Sequence, residues 1–209
     1  MRHHLDTQAI EAVLAFWLEE VGPNGWFRSD PALDARCKDH CGALAAEAAQ
    51  GGLSAWQASP RGTLALLILL DQMPRNIHRD TPLAFASDPM ARAVAKRATR
   101  LRWDLEVEGA VRNLFYLPLM HSESVADQDR CLRLCLTRLG ERDADGRLKH
   151  PLDKHEAAAL SSAIEHRDTI LRFGRFPARN TVLGRTSSPA EEAFLATGAR
   201  FVKHEPPGS

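Results

Sequence analysis

The sequence predicts an all-α fold, built from antiparallel helix pairs with short links and spanning residues 1–209 as a single domain. Three observations predict it. Apolar residues recur every three or four positions along nearly the whole chain. Helix starts are marked by a capping residue followed by proline, at Asp30-Pro31, Ser59-Pro60 and Ser188-Pro189, and Asp88-Pro89 opens another helix. No stretch alternates apolar and polar residues with the period of two that a half-buried strand needs.

The elements follow in order. TQAIEAVLAFWLEE puts Ile10, Val13, Leu14, Trp17 and Leu18 on one face, with Thr7 as its N-cap. The helix from Pro31 carries Leu33, Cys37, Cys41, Leu44 and Ala48 inward and stops at Gly51-Gly52. The helix from Pro60 contains LALLILL, residues 64–70, which is apolar on every side and belongs at the centre of the core. From Asp88, Met90, Ala91, Val94, Ala98 and Leu101 face inward. Helices over 105–117 and about 123–139 come next, and residues 140–153 read as an exposed loop. A long helix over 154–172 is stopped by Gly174, and Ser188 with Glu191 forms a capping box for a short last helix. The tail 204–209, HEPPGS, reads as frayed.

Composition narrows the function classes. Lys plus Arg and Asp plus Glu are both 27, so the formal net charge is zero, which argues against a nonspecific nucleic-acid or membrane-surface binder. The apolar run LALLILL is far too short to span a bilayer, and MRHHLDTQ is followed at once by amphipathic sequence rather than by the apolar region of a signal peptide. A cytoplasmic protein is the expectation. Cys37/Cys41 and Cys131/Cys135 are each one helical turn apart, lack the usual zinc spacing, and read as buried free thiols.

The informative residues are polar ones that the helical phase turns inward. Asp71 and Gln72 close the most apolar helix. An aspartate there opposes the helix dipole, and burying it unpaired is costly, so it calls for a cation; Arg75 and Arg79 follow. Gln128 shares a face with Val125, Leu132, Cys135 and Leu136. His166 edges the stripe of Leu160, Ala163, Ile164, Ile170 and Leu171. His121 and Glu123 lie in the link after Pro118, and RFGRFPARN supplies Arg172, Arg175, Arg179 and Asn180. Each has a structural reading as an ion pair, a helix tie or a guanidinium resting on a ring. Together they are more polar groups than one small core needs, and if they converge they line a pocket.

Several long blocks resemble the bacterial "domain of unknown function 924" family: LLDQMPRNIHRDTPLAFASD, FYLPLMHSES with Gln128 after it, AIEHRDTILRFGRFPARNTVLGR and SSPAEEAFL. The resemblance runs from Trp26-Phe27 to Phe201 and implies a tetratricopeptide-like helical stack, with no activity attached. Arg185 falls in its blocks. Ala178 stands where many members have histidine, so no mechanism is built on that position.

Two readings follow. In the favoured one, the arginines hold an anionic small molecule, a carboxylate or phosphate, through the guanidinium fork, and His121, His166 and Glu123 supply acid–base chemistry. In the other, a tetratricopeptide-like groove binds a peptide or protein through its terminal carboxylate, without catalysis. No dinucleotide-binding, P-loop or nucleophile-elbow signature is present, and no cofactor is expected. A mixed metal site from His121, Glu123, His166 and Asp71 is the weaker variant, because no pair has HExxH spacing and arginines crowd the same segments.

Overall fold

The computed structural model describes residues 2–138 and 154–203. The loop read at 140–153 and the tail at 204–209 both lie outside the described residues. Among the described residues the chain is all-α: helices are joined by short 3-10 and π turns, and there is no strand. It divides into two compact units, Met1–Pro118 and Leu119–Ser209.

The first unit begins with α1 (Arg2–Leu14), which continues as a π-helical turn over Ala15–Val21. Helix α1 therefore starts before Thr7 rather than being capped by it. Gly22, with φ of 65°, ends the π turn by donating its N–H to Trp17 O at 3.1 Å. Helix α2 (Pro31–Ala49) is capped as its sequence suggests: Asp30 Oδ1 accepts from the Ala32 amide at 2.9 Å. At its other end Gly51 adopts φ of 80°. Its amide and that of Gly52 return to Ala48 O and Glu47 O, the closing pattern that needs a left-handed residue.

Helix α3 (Pro60–Leu67) is capped by Ser59 Oγ, which accepts from the Gly62 amide at 3.1 Å. Only glycine fits at 62, since a Cβ there would stand 2.3 Å from Trp56 O. A π-helical turn, Ile68–Gln72, extends α3 directly into α4 (Met73–Ile77). All seven residues of LALLILL are buried, as an all-round apolar helix must be. Helices α1 and α5 (Asp88–Arg100) pack against α3, while α2 packs against α4 and the π turn.

Residues 105–117 are not one regular helix. They form 3-10 turns at Trp103–Glu106 and Gly109–Phe115, and then α6 (Leu117–Met120) begins. Arg102 and Gly109 have positive φ and interrupt the helical path. Side chains take over the bonding: Tyr116 OH donates to Asp104 Oδ2 at 2.7 Å, and Arg112 Nε donates to Val107 O at 3.0 Å.

In the second unit α7 (Val125–Thr137) packs against α8 (Lys154–Phe173), with Arg167 on Asp129 at 2.6 Å and a buried Arg138–Glu156 pair. Gly174, φ 71°, stops α8. A loop containing the 3-10 turn Pro177–Arg179 leads to α9 (Pro189–Ala196), whose Ser188/Glu191 capping box is present. All four cysteines are buried and free. Four apolar residues expected inside are exposed: Leu101, Val125, Leu136 and Leu171. Each sits within two residues of a helix end.

Candidate functional site

In the first unit the polar residues at the end of the core helix are occupied in holding backbone. Pro74 has no N–H to give the carbonyl of Leu70, four residues earlier. Ser87 Oγ donates to that carbonyl instead, at 2.6 Å. The next two carbonyls are met the same way: Arg75 donates to Asp71 O at 2.6 Å, and Asn76 Nδ2 donates to Gln72 O at 3.0 Å. Asp71 is 1% exposed and, as its position demanded, pairs with Arg75 at 3.2 Å; the Gln72 amide also donates to its carboxylate. Arg75 reaches on to Asp88 at 3.0 Å. Arg79 forms a two-pronged pair with Asp34 of α2, at 2.6 and 2.7 Å. A groove of about 290 Å³ lies in this unit, walled by Ala45, Ala49, Pro74, Ile77, Leu83 and Met90, with His78 and Ser87 as its polar members. None of the candidate residues read from the sequence lines it.

The second unit repeats the device around His121. Gln128, fully buried, donates its Nε2 hydrogens to Met120 O at 2.7 Å and Ser122 O at 2.6 Å, while Arg179 donates to His121 O at 3.0 Å. Three successive carbonyls of this turn are thus held by side chains. The turn presents the His121 ring to His166, with centroids 6.1 Å apart. His166, 8% exposed, is framed by the edge of Phe176 at 5.4 Å and stacks on Phe201 at 3.8 Å. Its Nδ1 meets Ser162 O at 2.7 Å; a carbonyl only accepts, so Nδ1 carries the proton and Nε2 is the basic nitrogen of the neutral ring. The Arg179 guanidinium lies over the other aromatic neighbour, 4.5 Å from the Phe176 centroid.

The other candidates of this unit are engaged elsewhere. Glu123 accepts two bonds from Arg185, at 2.8 and 3.0 Å, and one from the Phe176 amide at 2.8 Å. Burial alone would raise its pKa; the Arg185 and Phe176 hydrogen bonds outweigh that and lower it. It therefore ties the loop down rather than waiting as a base. Arg175, read as one of the arginines that hold an anion, instead clasps Glu191 at 2.6 and 2.7 Å and donates to Thr186 O at 2.9 Å. Asn180 is buried between Ser187 and Arg185, both at 3.0 Å. Arg172 is exposed, its guanidinium 4.8 Å from the Phe173 ring and 5.8 Å from that of Phe194. What remains as a cluster is His121, His166 and Arg179 around Phe176 and Phe201. Among the described residues no group of three or more His, Cys, Asp or Glu stands where it could hold a metal ion.

Residues 13–199 match the model of a family described as "Bacterial protein of unknown function (DUF924)". The chain belongs to this family. It is 34% identical to a protein of unknown function from Agrobacterium tumefaciens whose structure is solved, with a TM-score of 0.78 over 95% of this chain and 100% of that one. No curated protein matches it significantly. That protein shares the fold of this chain, and its description carries no activity to compare with the cluster.

Three residues of this DUF924 chain matter to the cluster or its support without having been singled out as site residues. Arg185 lay in a family block, and its signal was the need of Glu123 for a cation. Glu191 was visible as the last residue of a capping box, which concealed its second task on Arg175. Phe201 had no signal beyond being apolar, because its stacking on His166 comes from how the chain returns after α9.

Proposed function

We propose that the second unit binds an anionic small molecule, a carboxylate or phosphate, where His121, His166 and Arg179 meet, and that the imidazoles move a proton on it. The observation that carries this reading is the 6.1 Å approach of two imidazoles beside a guanidinium that is fastened to the His121 backbone. Guanidinium matches carboxylate and phosphate geometry, and imidazole titrates near neutral pH. Phe176 and Phe201 supply low-dielectric walls that strengthen both. Acid–base work falls to the histidines, since Glu123 is committed to Arg185. A cytoplasmic setting fits the reading: the four thiols are free, and no helix among the described residues is long and apolar enough to cross a membrane.

The test follows the histidine ring protons by NMR while inorganic phosphate or succinate is added. His121 and His166 should shift together and saturate at millimolar concentration, and Arg179→Met should weaken binding about tenfold by removing a charge-assisted contact. Ring signals that stay still up to the solubility limit of both anions would sink the reading. The alternative, a tetratricopeptide-like module for a peptide or protein, draws on the groove of the first unit. No arginine lines that groove to take a terminal carboxylate, which is why the small-molecule reading is preferred.

A further inference from the structure

We infer that the segment after α9 is a removable cover on His166, so that access to the histidine pair is gated by residues 199–203. Helix α9 ends at Ala196, and Gly198 then turns the chain with φ of 76°, its amide bonded to Leu195 O at 3.0 Å. No atom lies within 4 Å of where a Cβ on Gly198 would be, so the pivot is open on that side. Beyond the pivot, Phe201 lays its ring on His166 at 3.8 Å and 28°, and meets Phe176 edge-on at 5.9 Å. The Val202 amide donates to Thr169 Oγ1 at 2.8 Å, and Lys203 reaches Glu165 at 3.2 Å.

These attachments are few and of a kind that opens easily. Among the described residues, 199–203 make no backbone-to-backbone hydrogen bond. The Lys203 side chain is 74% exposed, and ion pairs of that sort hold weakly and are screened by salt. The ring stack does most of the holding, and it rests on the imidazole face that a ligand would need. Segments with few buried contacts open locally without the rest of the fold. A planar group on a ligand could take the place of Phe201 against His166, so a molecule joining a flat ring to a carboxylate or phosphate fits the uncovered corner. That last step rests on the anion reading proposed above, whereas the cover itself does not.

The experiment is carbethoxylation of the full-length protein by diethyl pyrocarbonate, with the rate at each histidine read by mass spectrometry. Phe201→Ala should speed modification of His166 about fivefold, the effect of losing one aromatic contact on an opening equilibrium. Phe201→Trp should keep His166 protected, and Val202→Pro, which removes the amide held by Thr169, should speed it independently. His78, in the first unit, serves as the control and should not change. Equal His166 rates in wild type, Phe201→Ala and Val202→Pro would overturn the cover. The same proteins are then titrated with inorganic phosphate. Tighter binding by Phe201→Ala supports the gate. Faster modification with no phosphate binding in any protein keeps the cover and removes the anion reading. Unchanged rates with normal phosphate binding do the reverse.

Discussion

Glu191 is buried at the start of α9 and yet remains ionised. Arg175 hydrogen bonds lower its pKa most, burial opposes them, and the Ser188 amide adds to the lowering, leaving the carboxyl at about 2 against an ordinary 4.5. A carboxylate whose pKa is depressed on folding stabilises the fold above its unfolded value, and that contribution fades as pH falls through the interval between the two. Wild type should therefore melt higher than Glu191→Gln at pH 5, with the gap closing as pH drops from about 4.5 toward 2. A gap that stays constant across that range would mean that the Arg175 clasp does not set the Glu191 titration. Single residues were legible here in proportion to how locally their needs are met. Asp71 announced a cation because a buried carboxylate at a helix end has few alternatives, and Arg75 was four residues away. Arg175 announced only that it needed an anion. The choice between a ligand and Glu191 depended on how the loop folds back, which spacing along the chain does not encode.

Helix starts were the most legible elements, because a cap and a proline act within one turn. Asp30, Ser59 and Ser188 all cap as their sequence suggests. The π turns at Ala15–Val21 and Ile68–Gln72 were not legible, since one extra residue in a turn leaves the apolar period nearly intact. Beside the second of them Arg75, Asn76 and Ser87 are polar and largely buried because each donates to a main-chain carbonyl there, Asp71 O, Gln72 O and Leu70 O. Gln128 plays that part for the turn before α7, and its replacement tests it. Gln128→Met keeps the volume and removes both donors, stranding Met120 O and Ser122 O. We expect a loss of about 2 kcal/mol in urea unfolding, within the range for buried groups left unsatisfied. The His121 ring signals should also move, because the turn that presents the ring is no longer held. A stability within about 0.5 kcal/mol of wild type, the usual scatter for surface changes, with unmoved His121 signals would show that other contacts fix the turn.

On the scale of the whole molecule, periodicity identified an all-helical chain but could not divide it. The single domain read for 1–209 and the two compact units, Met1–Pro118 and Leu119–Ser209, differ in whether a unit can fold alone. Helical periodicity looks the same on both sides of a boundary, and here the boundary falls beside Pro118 within the four residues of α6, where no linker composition marks it. The first unit has the means to fold by itself. Its central helix is apolar all round, and α1 and α5, which pack against it, belong to the same unit, as do α2 and α4. Buried Asp71 and Asp88 also pair with Arg75 within it, half-buried Asp34 pairs with Arg79, and buried Asp104 accepts from Tyr116. A chain of that length lies above the size at which disulfides or metals become necessary for a stable core. Residues 1–118 expressed alone should then be soluble, show a strongly helical circular dichroism spectrum and melt in one cooperative transition. Asp71→Ala in that fragment should lower the melting point sharply, because Arg75 would lose one of its two carboxylates inside the core. A fragment that is unfolded or melts without a transition would mean that the two units are halves of one folding unit, as the sequence first suggested.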